Sequence, residues 1–251
     1  MQQLVIPLRD ARRIDFVIAN CENAAAGAGI TPPLADDLFR AGVDVLTSGN
    51  HVWKKREAIE LLKLDPRVIR PANYPAQAPG RGSAIVEALS GEKVAVLNIM
   101  GRVFMEPLDC PFRAAERELA RLKLVTPIVI VDMHAEATSE KVAMGWFLDG
   151  KVSCVFGTHT HIPTADERIL PQGTAYITDV GMTGPYDSVI GRRTDQILER
   201  FLTSVPVRSE VAEHNVQLRG LLMEIDSTTG RALTVERLTQ TLDGPVSGAE
   251  R

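Results

Sequence analysis

Five histidines stand among the 251 residues, and four of them follow apolar runs. His51 comes after VDVLTSGN, His134 after IVIVDM, and His159 and His161 after VSCVFGT. Another run, IDFVIAN, leads into Cys21-Glu22-Asn23, and Asn50 directly precedes His51. Near-continuous β-branched runs read as strands buried on both faces. In open α/β sheets, ligands bind in the crevice beyond the carboxyl ends of such strands. Strand ends carrying imidazole, carboxylate and carboxamide groups would converge there. Imidazole suits Zn, Fe, Ni or Mn-type ions, and carboxylate or carboxamide oxygen suits harder ones. His159-Thr160-His161 is an i, i+2 pair. Extended, both rings face one side; in a turn they can approach two adjacent ions from different directions. A mixed N/O set with one bridging carboxylate is what a two-metal hydrolase needs. Its ions sit ~3.5–4 Å apart, lower the pKa of a bridging water and clamp a phosphoryl oxygen.

Taken singly, each residue has a plainer reading. A lone histidine after a strand is usually a capped or half-buried side chain. Glu22 and Asn23 can open a helix, since Asn is a good cap, and Asn50 can be a turn residue after Gly49. Cys21 reads as a small packed residue, because one thiol lacks partners. Asp132, inside its strand, reads as an orienter of a metal-bound histidine or a strand-end hydrogen bonder. The joint pattern resists these readings.

The elements that must position these groups alternate along the chain. Strands are expected at Phe16 to Ala19, Val43 to Leu46, Val94 to Ile99, Ile128 to Val131, Val152 to Phe156 and Thr174 to Ile177. Helices are expected at Leu34 to Ala41, capped by Thr31 with Pro32 and Pro33 in the first turn and closed by Gly42, and at Lys55 to Leu62, Pro111 to Leu122 and Thr194 to Leu202. This alternation predicts an α/β layered sandwich. Val216 to Ile225 and Arg231 to Leu238 alternate polar and apolar residues and read as an antiparallel hairpin turning at Ser227 to Gly230, so the sheets are mixed. One domain is expected over 1–241, with a Gly/Ser/Glu-rich loose tail over 242–251.

Composition narrows the class. Hydrophobic residues make up 45% and charged residues 24%, ordinary globular usage that excludes a disordered chain, a coiled coil or a collagen-like fibre. Twenty-eight basic against 32 acidic residues leave a net charge of −4, with no bulk attraction to nucleic acid or anionic lipid. No apolar run approaches the ~18 residues of a membrane span, and MQQLVIPLRDARR lacks the marks of a signal peptide. Three widely spaced cysteines make neither a disulfide framework nor a zinc ribbon, and a reducing cytoplasm is the expected home.

In this order, the blocks Cys21-Glu22-Asn23-Ala24-Ala25, Ser48-Gly49-Asn50-His51, Arg70-Pro71-Ala72-Asn73-Tyr74-Pro75, Met133 to Glu140, Gly157-Thr158-His159-Thr160-His161 and Thr178 to Gly184 resemble the calcineurin-like metallophosphoesterases, and within them the bacterial YmdB-like branch. The similarity runs from about Ile14 to Leu238. It implies a layered α/β/β/α sandwich with mixed sheets, of metallophosphoesterase type. By position, Glu22 would bridge two metal ions, Asn23 and His161 would join it at the first, and Asn50, His134 and His159 at the second. His51 would bind no metal; it would face the substrate as proton donor to the leaving group. The resemblance further implies iron or manganese ions, with zinc as another candidate, and a small phosphodiester substrate such as a cyclic nucleotide or an RNA-derived one. Two dications close to His51 favour its neutral form, so a hydrogen-bond acceptor must keep the proton on; Val52 stands where the wider superfamily often has an acidic residue, and the acceptor must come from elsewhere. No membrane partner is expected, and a homo-oligomer is left open.

The resemblance also carries a departure. The family opens with a strand ending in a Gly-Asp block whose Asp completes the first metal site. Here the sequence starts with a helical stretch bearing Leu4, Leu8 and Arg12 and reaches IDFVIAN at once. A gap or unpaired edge beside IDFVIAN is therefore expected, as is weaker binding at the first site. Three readings follow: a metal-dependent phosphodiesterase, a catalytically impaired homologue acting as a binding or regulatory protein, and a metal hydrolase of non-phosphate esters or amides. Substrate choice is assigned to the loops Arg102 to Phe112 and Met182 to Arg193. Arg70, Arg102, Arg192 and Arg193 are candidate phosphate contacts, each with solvation as the plainer alternative.

Overall fold

The computed structural model describes residues 2–242. Its central feature is a six-stranded mixed sheet ordered β3-β4-β5-β6-β8-β7. The strands are β3 (Ser83–Glu87), β4 (Lys93–Met100), β5 (Val129–His134), β6 (Cys154–Thr158), β7 (Arg168–Ile169) and β8 (Ala175–Ile177). β4, β5, β6 and β8 run parallel, and β3 and β7 are antiparallel edges. Side chains alternate in period two across this sheet. Ala95, Leu97, Ile99, Val129, Val131, Met133, Val155 and Tyr176 face α4 (Pro111–Leu122) and α5 (Thr138–Leu148). Val94, Val96, Ile130, Cys154, Phe156, Ala175 and Ile177 face the other way.

A second layer covers that other face. It consists of the parallel pair β1 (Ile18–Asn20) and β2 (Val45–Thr47), and of a three-stranded antiparallel sheet ordered β11-β10-β9. Here β9 is Gly184–Pro185, β10 is Val216–Ile225 and β11 is Ala232–Thr241. Phe16, Ile18, Leu221, Met223, Ile225 and Val235 close the core between the layers. On the outside of β1 and β2 pack α2 (Pro32–Arg40) and α3 (Ala58–Leu64), burying Ala35, Leu46, Ala58 and Leu62. α1 (Gln2–Arg12) sets Val5 and Leu8 against Leu218 of β10. The four layers are thus the expected α/β/β/α. Among the described residues, no helix is long and apolar enough to cross a membrane.

Local signals act as expected at several places. Thr31 is the N-cap of α2, although it caps through its extended backbone and not its side chain. Gly42, at φ +96°, ends the helix with Val43 N donating to the Leu38 carbonyl. The hairpin turns where Asp226 Oδ1 accepts from the amides of Thr228 and Thr229. Of the expected tail, residues 243–251 lie outside the described residues, while Leu242 N still donates to the Val216 carbonyl.

Among the described residues, β1 has one unpaired edge. β1 pairs with β2 on one edge, and β10 meets β9 only at Val216 and Gln217. The remaining edges of β1 and β10 line one cavity of about 1100 Å³, floored by Ile128, Ile130 and Phe156 and roofed by Val5, Leu8 and Arg12. At one end it reaches Glu22, Asn23, His159 and His161.

Candidate metal centre

The carboxyl ends of β1, β2, β5 and β6 meet at one point, and a single buried carboxylate joins them. Asp132, in β5, accepts from Thr47 Oγ1 (2.5 Å) at the end of β2, from Thr158 Oγ1 (2.6 Å) at the end of β6, and from Asn20 Nδ2 (3.2 Å) at the end of β1. Burial pushes its carboxyl above the ordinary value, against the pull of His134 and these donors. Thr158 has one hydroxyl proton and gives it to Asp132. It must then accept from His134 Nδ1–H, 2.9 Å away. This fixes the His134 tautomer and leaves the Nε2 lone pair aimed at the crevice. The orienting role considered for Asp132 is therefore realised through a threonine.

Around His134 Nε2 stand Asn50 Oδ1 at 3.0 Å, His159 Nδ1 at 3.1 Å and Glu22 Oε2 at 3.2 Å. Carboxylate, carboxamide and imidazole lone pairs thus face one another, and only a proton or a metal cation can sit between them. Ligand atoms of Glu22, His134 and His159 all lie within 4.8 Å of one another. Gly49 frames this space: an added Cβ would collide with His134 Nε2 and Glu22 Oε2. The residues present therefore fit a metal ion. Glu22 is buried, which raises a carboxyl pKa, but the His134 charge and hydrogen bond and the His51 amide outweigh this and hold it down at about 2. The His159 imidazole is shifted down, first by burial and then by His134. Its Nε2 faces Glu136 Oε2 at 3.0 Å.

The two histidines of the i, i+2 pair diverge, because both have left-handed backbone, φ +91° at His159 and +66° at His161. His159 turns to His134, whereas His161 Nε2 lies 3.0 Å from Asn23 Nδ2. Asn23 thus presents its amide nitrogen to His161 and its Oδ1 to His51 Nδ1, at 2.8 Å. For a cation to lie between Asn23 and His161, this amide must turn over. His51 is 30% exposed, and its main-chain amide donates to Glu22 Oε2 (3.2 Å). In the orientation observed, Asn23 Oδ1 is the acceptor that faces the His51 ring.

One element of the site was missed from sequence. Lys141 of α5 is fully buried, and its Nζ donates to Asp179 Oδ2 (2.7 Å) and Thr160 Oγ1 (3.1 Å). Asp179 Oδ2 also accepts from Thr160 Oγ1 (2.7 Å) and the Thr160 amide (3.3 Å). The turn between the two histidines is thereby clamped. A lysine in an 11-residue helix reads as solvated; the paired acid in the TDVGMTG block is the only signal that could have found it.

Other sequence candidates resolve differently. Arg70 is buried and donates to the carbonyls of Pro71, Pro79 and Ala78, so it braces a loop. Asn73 of the same block braces β4 through both the amide and the carbonyl of Met100. Arg193 pairs with Asp195 and Glu210, and Arg192 donates to the carbonyls of Ser209 and Gly27. Cys21 donates its thiol to the Thr47 carbonyl (3.1 Å), and burial and then Glu22 push its pKa up to about 12. It is a packed thiol.

Residues 1–238 match the model of a family described as YmdB-like protein. A 2',3'-cyclic-nucleotide 2'-phosphodiesterase of Bacillus subtilis is 47% identical over 238 residues, spanning 95% of this chain and 90% of that protein. Among solved structures, a novel phosphatase from Mycoplasma pneumoniae superposes with a TM-score of 0.88 at 34% identity, covering 96% of this chain and 87% of the other. A hypothetical protein from Thermus thermophilus gives 0.89 at 42% identity, with 96% and 92% covered.

Proposed function

The chain belongs to the YmdB-like protein family, and from that premise we propose that it cleaves small phosphodiesters, 2',3'-cyclic nucleotides among them, at a centre of two metal ions. It is an enzyme of the phosphodiesterase and phosphatase class, as the relative 47% identical over most of the chain supports. A metallophosphoesterase family implies divalent ions. In this reading Glu22 is shared, Asn50, His134 and His159 hold one ion, and Asn23 and His161 hold the other. The family resemblance points to iron or manganese, and the N/O donor set also admits zinc. Bound there, the ions supply Lewis acidity, activating a water and offsetting charge on the nonbridging phosphoryl oxygens.

The chain's own residues do the rest. Asp132 and Thr158 hold His134 in the ligating tautomer. The Asp179 clamp holds His159 and His161 apart. With the Asn23 amide turned over so that Oδ1 can ligate, its Nδ2 faces and donates to His51 Nδ1, so the ring proton sits on Nε2, the atom left to face a substrate. Protonated there, it delivers the proton that a ribose alkoxide needs on leaving. The observation that carries this reading is the set of lone pairs around His134 Nε2 in a cradle kept open by Gly49.

The test compares leaving groups. Metal-loaded protein should hydrolyse 2',3'-cyclic AMP in a chelator-sensitive reaction, and His51→Ala should lower kcat by ~10²–10⁴-fold. With bis-(p-nitrophenyl) phosphate, whose phenolate leaves without a proton, the loss should be much smaller. Equal losses on both substrates refute the role of His51, and no hydrolysis of either refutes the activity. A second reading has one observation in its favour. Among the described residues, the cluster of three metal-type groups is Glu22, His134 and His159, and His161 is outside it. A protein holding one ion per chain without turnover would be a binding or regulatory homologue, and metal analysis beside the assay separates the two.

A further inference from the structure

Between β4 and α4 the chain runs as a loop tied to the segment that follows His134, and one residue on it is costly to the fold in two ways. Phe104 is 89% exposed and has φ +61°, a left-handed conformation in which a bulky residue is a true outlier. Strain of this kind persists only where the surroundings impose it, and it clusters at ligand clamps and active sites.

The surroundings here do impose it. Gly101 N donates to the His134 carbonyl (2.9 Å). The buried Glu140 carboxylate accepts from the amides of Arg102 (3.1 Å) and Val103 (3.3 Å). On the far side of Phe104, the Met105 sulfur accepts from the Glu136 amide (3.3 Å), and Glu136 faces His159. Phe104 is therefore carried between two anchors, each fixed to the segment that bears the candidate ligand His134. Its ring gains no packing from this position, so its apolar face is available to a ligand.

We propose that Phe104 is a specificity-determining residue, a platform on which the base of a nucleotide substrate stacks while its phosphate lies at the metal centre. The proposal rests on the cyclic-nucleotide reading above and extends it to the part of the substrate that does not react. A base–aromatic stack is tolerant of base identity, because every base has a π face. The platform therefore selects nucleotides over other phosphodiesters without choosing among bases.

The test uses metal-loaded protein and two substrates, 2',3'-cyclic AMP and ribose 2',3'-cyclic phosphate, which lacks the base. The quantity read is the ratio of their kcat/KM values. Phe104→Ala should lower this ratio by about 5- to 150-fold, the worth of one base–aromatic stack. The change should lie mainly in KM, and Phe104→Trp should restore it. Phe104→Gly, which relieves the backbone, should lower the ratio likewise without lowering the unfolding midpoint. A ratio within about twofold of wild type in Phe104→Ala, or full retention in Phe104→Leu, overturns the proposal. Calorimetric binding of adenosine 3'-monophosphate against ribose 3-phosphate separates the two failures. If wild type hydrolyses neither substrate, the phosphodiesterase reading fails, yet base-dependent binding lost in Phe104→Ala still upholds the platform. Binding indifferent to the base or to Phe104 removes it.

Discussion

Replacing Thr158 by Val keeps the shape of the side chain and deletes one oxygen. That oxygen donates to Asp132 Oδ1 at 2.6 Å and accepts from His134 Nδ1 at 2.9 Å. Both partners are fully buried, so water cannot substitute. The bond to the Asp132 carboxyl is worth about 1.5–3 kcal/mol, and an orphaned buried His134 N–H costs about 1–3 kcal/mol more. Asp132 keeps Thr47 and Asn20 as donors, which limits the damage. Thr158→Val should thus lose about 3–5 kcal/mol of unfolding free energy. Without its acceptor, His134 also loses its tautomer preference, and metal affinity should drop about 10- to 100-fold, as when other partners of metal-bound histidines are removed. Urea unfolding of metal-free protein reads the first number, and competition with a fluorescent chelator reads the second. Thr158→Ser, which keeps the hydroxyl, should approach wild type on both. Stability within about 0.5 kcal/mol of wild type together with unchanged metal affinity would show that no relay runs from Asp132 through Thr158.

Three further perturbations probe other parts of the molecule. Gly49→Ala places a methyl group against His134 Nε2 and Glu22 Oε2 and should abolish metal uptake, measured by elemental analysis, while circular dichroism stays native. Lys141→Met leaves the Asp179 carboxylate buried without its cation and should cost about 3–5 kcal/mol in denaturant unfolding, with Lys141→Met/Asp179→Asn recovering most of it. Asp166 is partly buried, which raises its pKa, but the Thr164 and Thr178 hydroxyls and the Thr178 amide bring it below the ordinary value. A depressed folded pKa stabilises the fold above the unfolded value of about 3.9 and ceases to as pH falls through the folded one. The stability margin of wild type over Asp166→Asn should then be full at neutral pH and shrink in acid below that value; a margin that grows in acid would refute the assignment.

Much of this architecture was readable before the structure because buried strands announce themselves. IVIVDMH and VSCVFGT are apolar on both faces, and their polar ends mark where the sheet stops and chemistry begins. The same logic placed Glu22, Asn50, His134 and His159 in one crevice. It was blind to α5, whose Glu140 and Lys141 look like surface charges yet are both buried, because their partners, the loop amides at 102–103 and Asp179, lie about 40 residues away in sequence. It also passed over β3, a five-residue edge strand whose pairing with β4 has no signature in its own composition. The orientation of Asn23, with Oδ1 toward His51 and Nδ2 toward His161, depends on two side chains that no spacing rule brings together.

The opening between β1 and β10 divides the second layer of the molecule mechanically. Among the described residues, no ladder hydrogen bonds link the β1–β2 pair to the β10–β11 hairpin, so the two are coupled through side chains, those packed on the six-stranded sheet and those of α1, whose Val5 and Leu8 sit in one cluster with Val17 and Leu218. Such a layer should open in two separate units with separate local stabilities. Amide exchange along β10 would carry the mark of this: every second N–H, bonded to β11, exchanges slowly, and the alternating ones that point into the opening exchange early. One wall of that opening ends at Glu22 and Asn23, so separate opening of the two plates would reach the metal centre through the plate that carries these two residues.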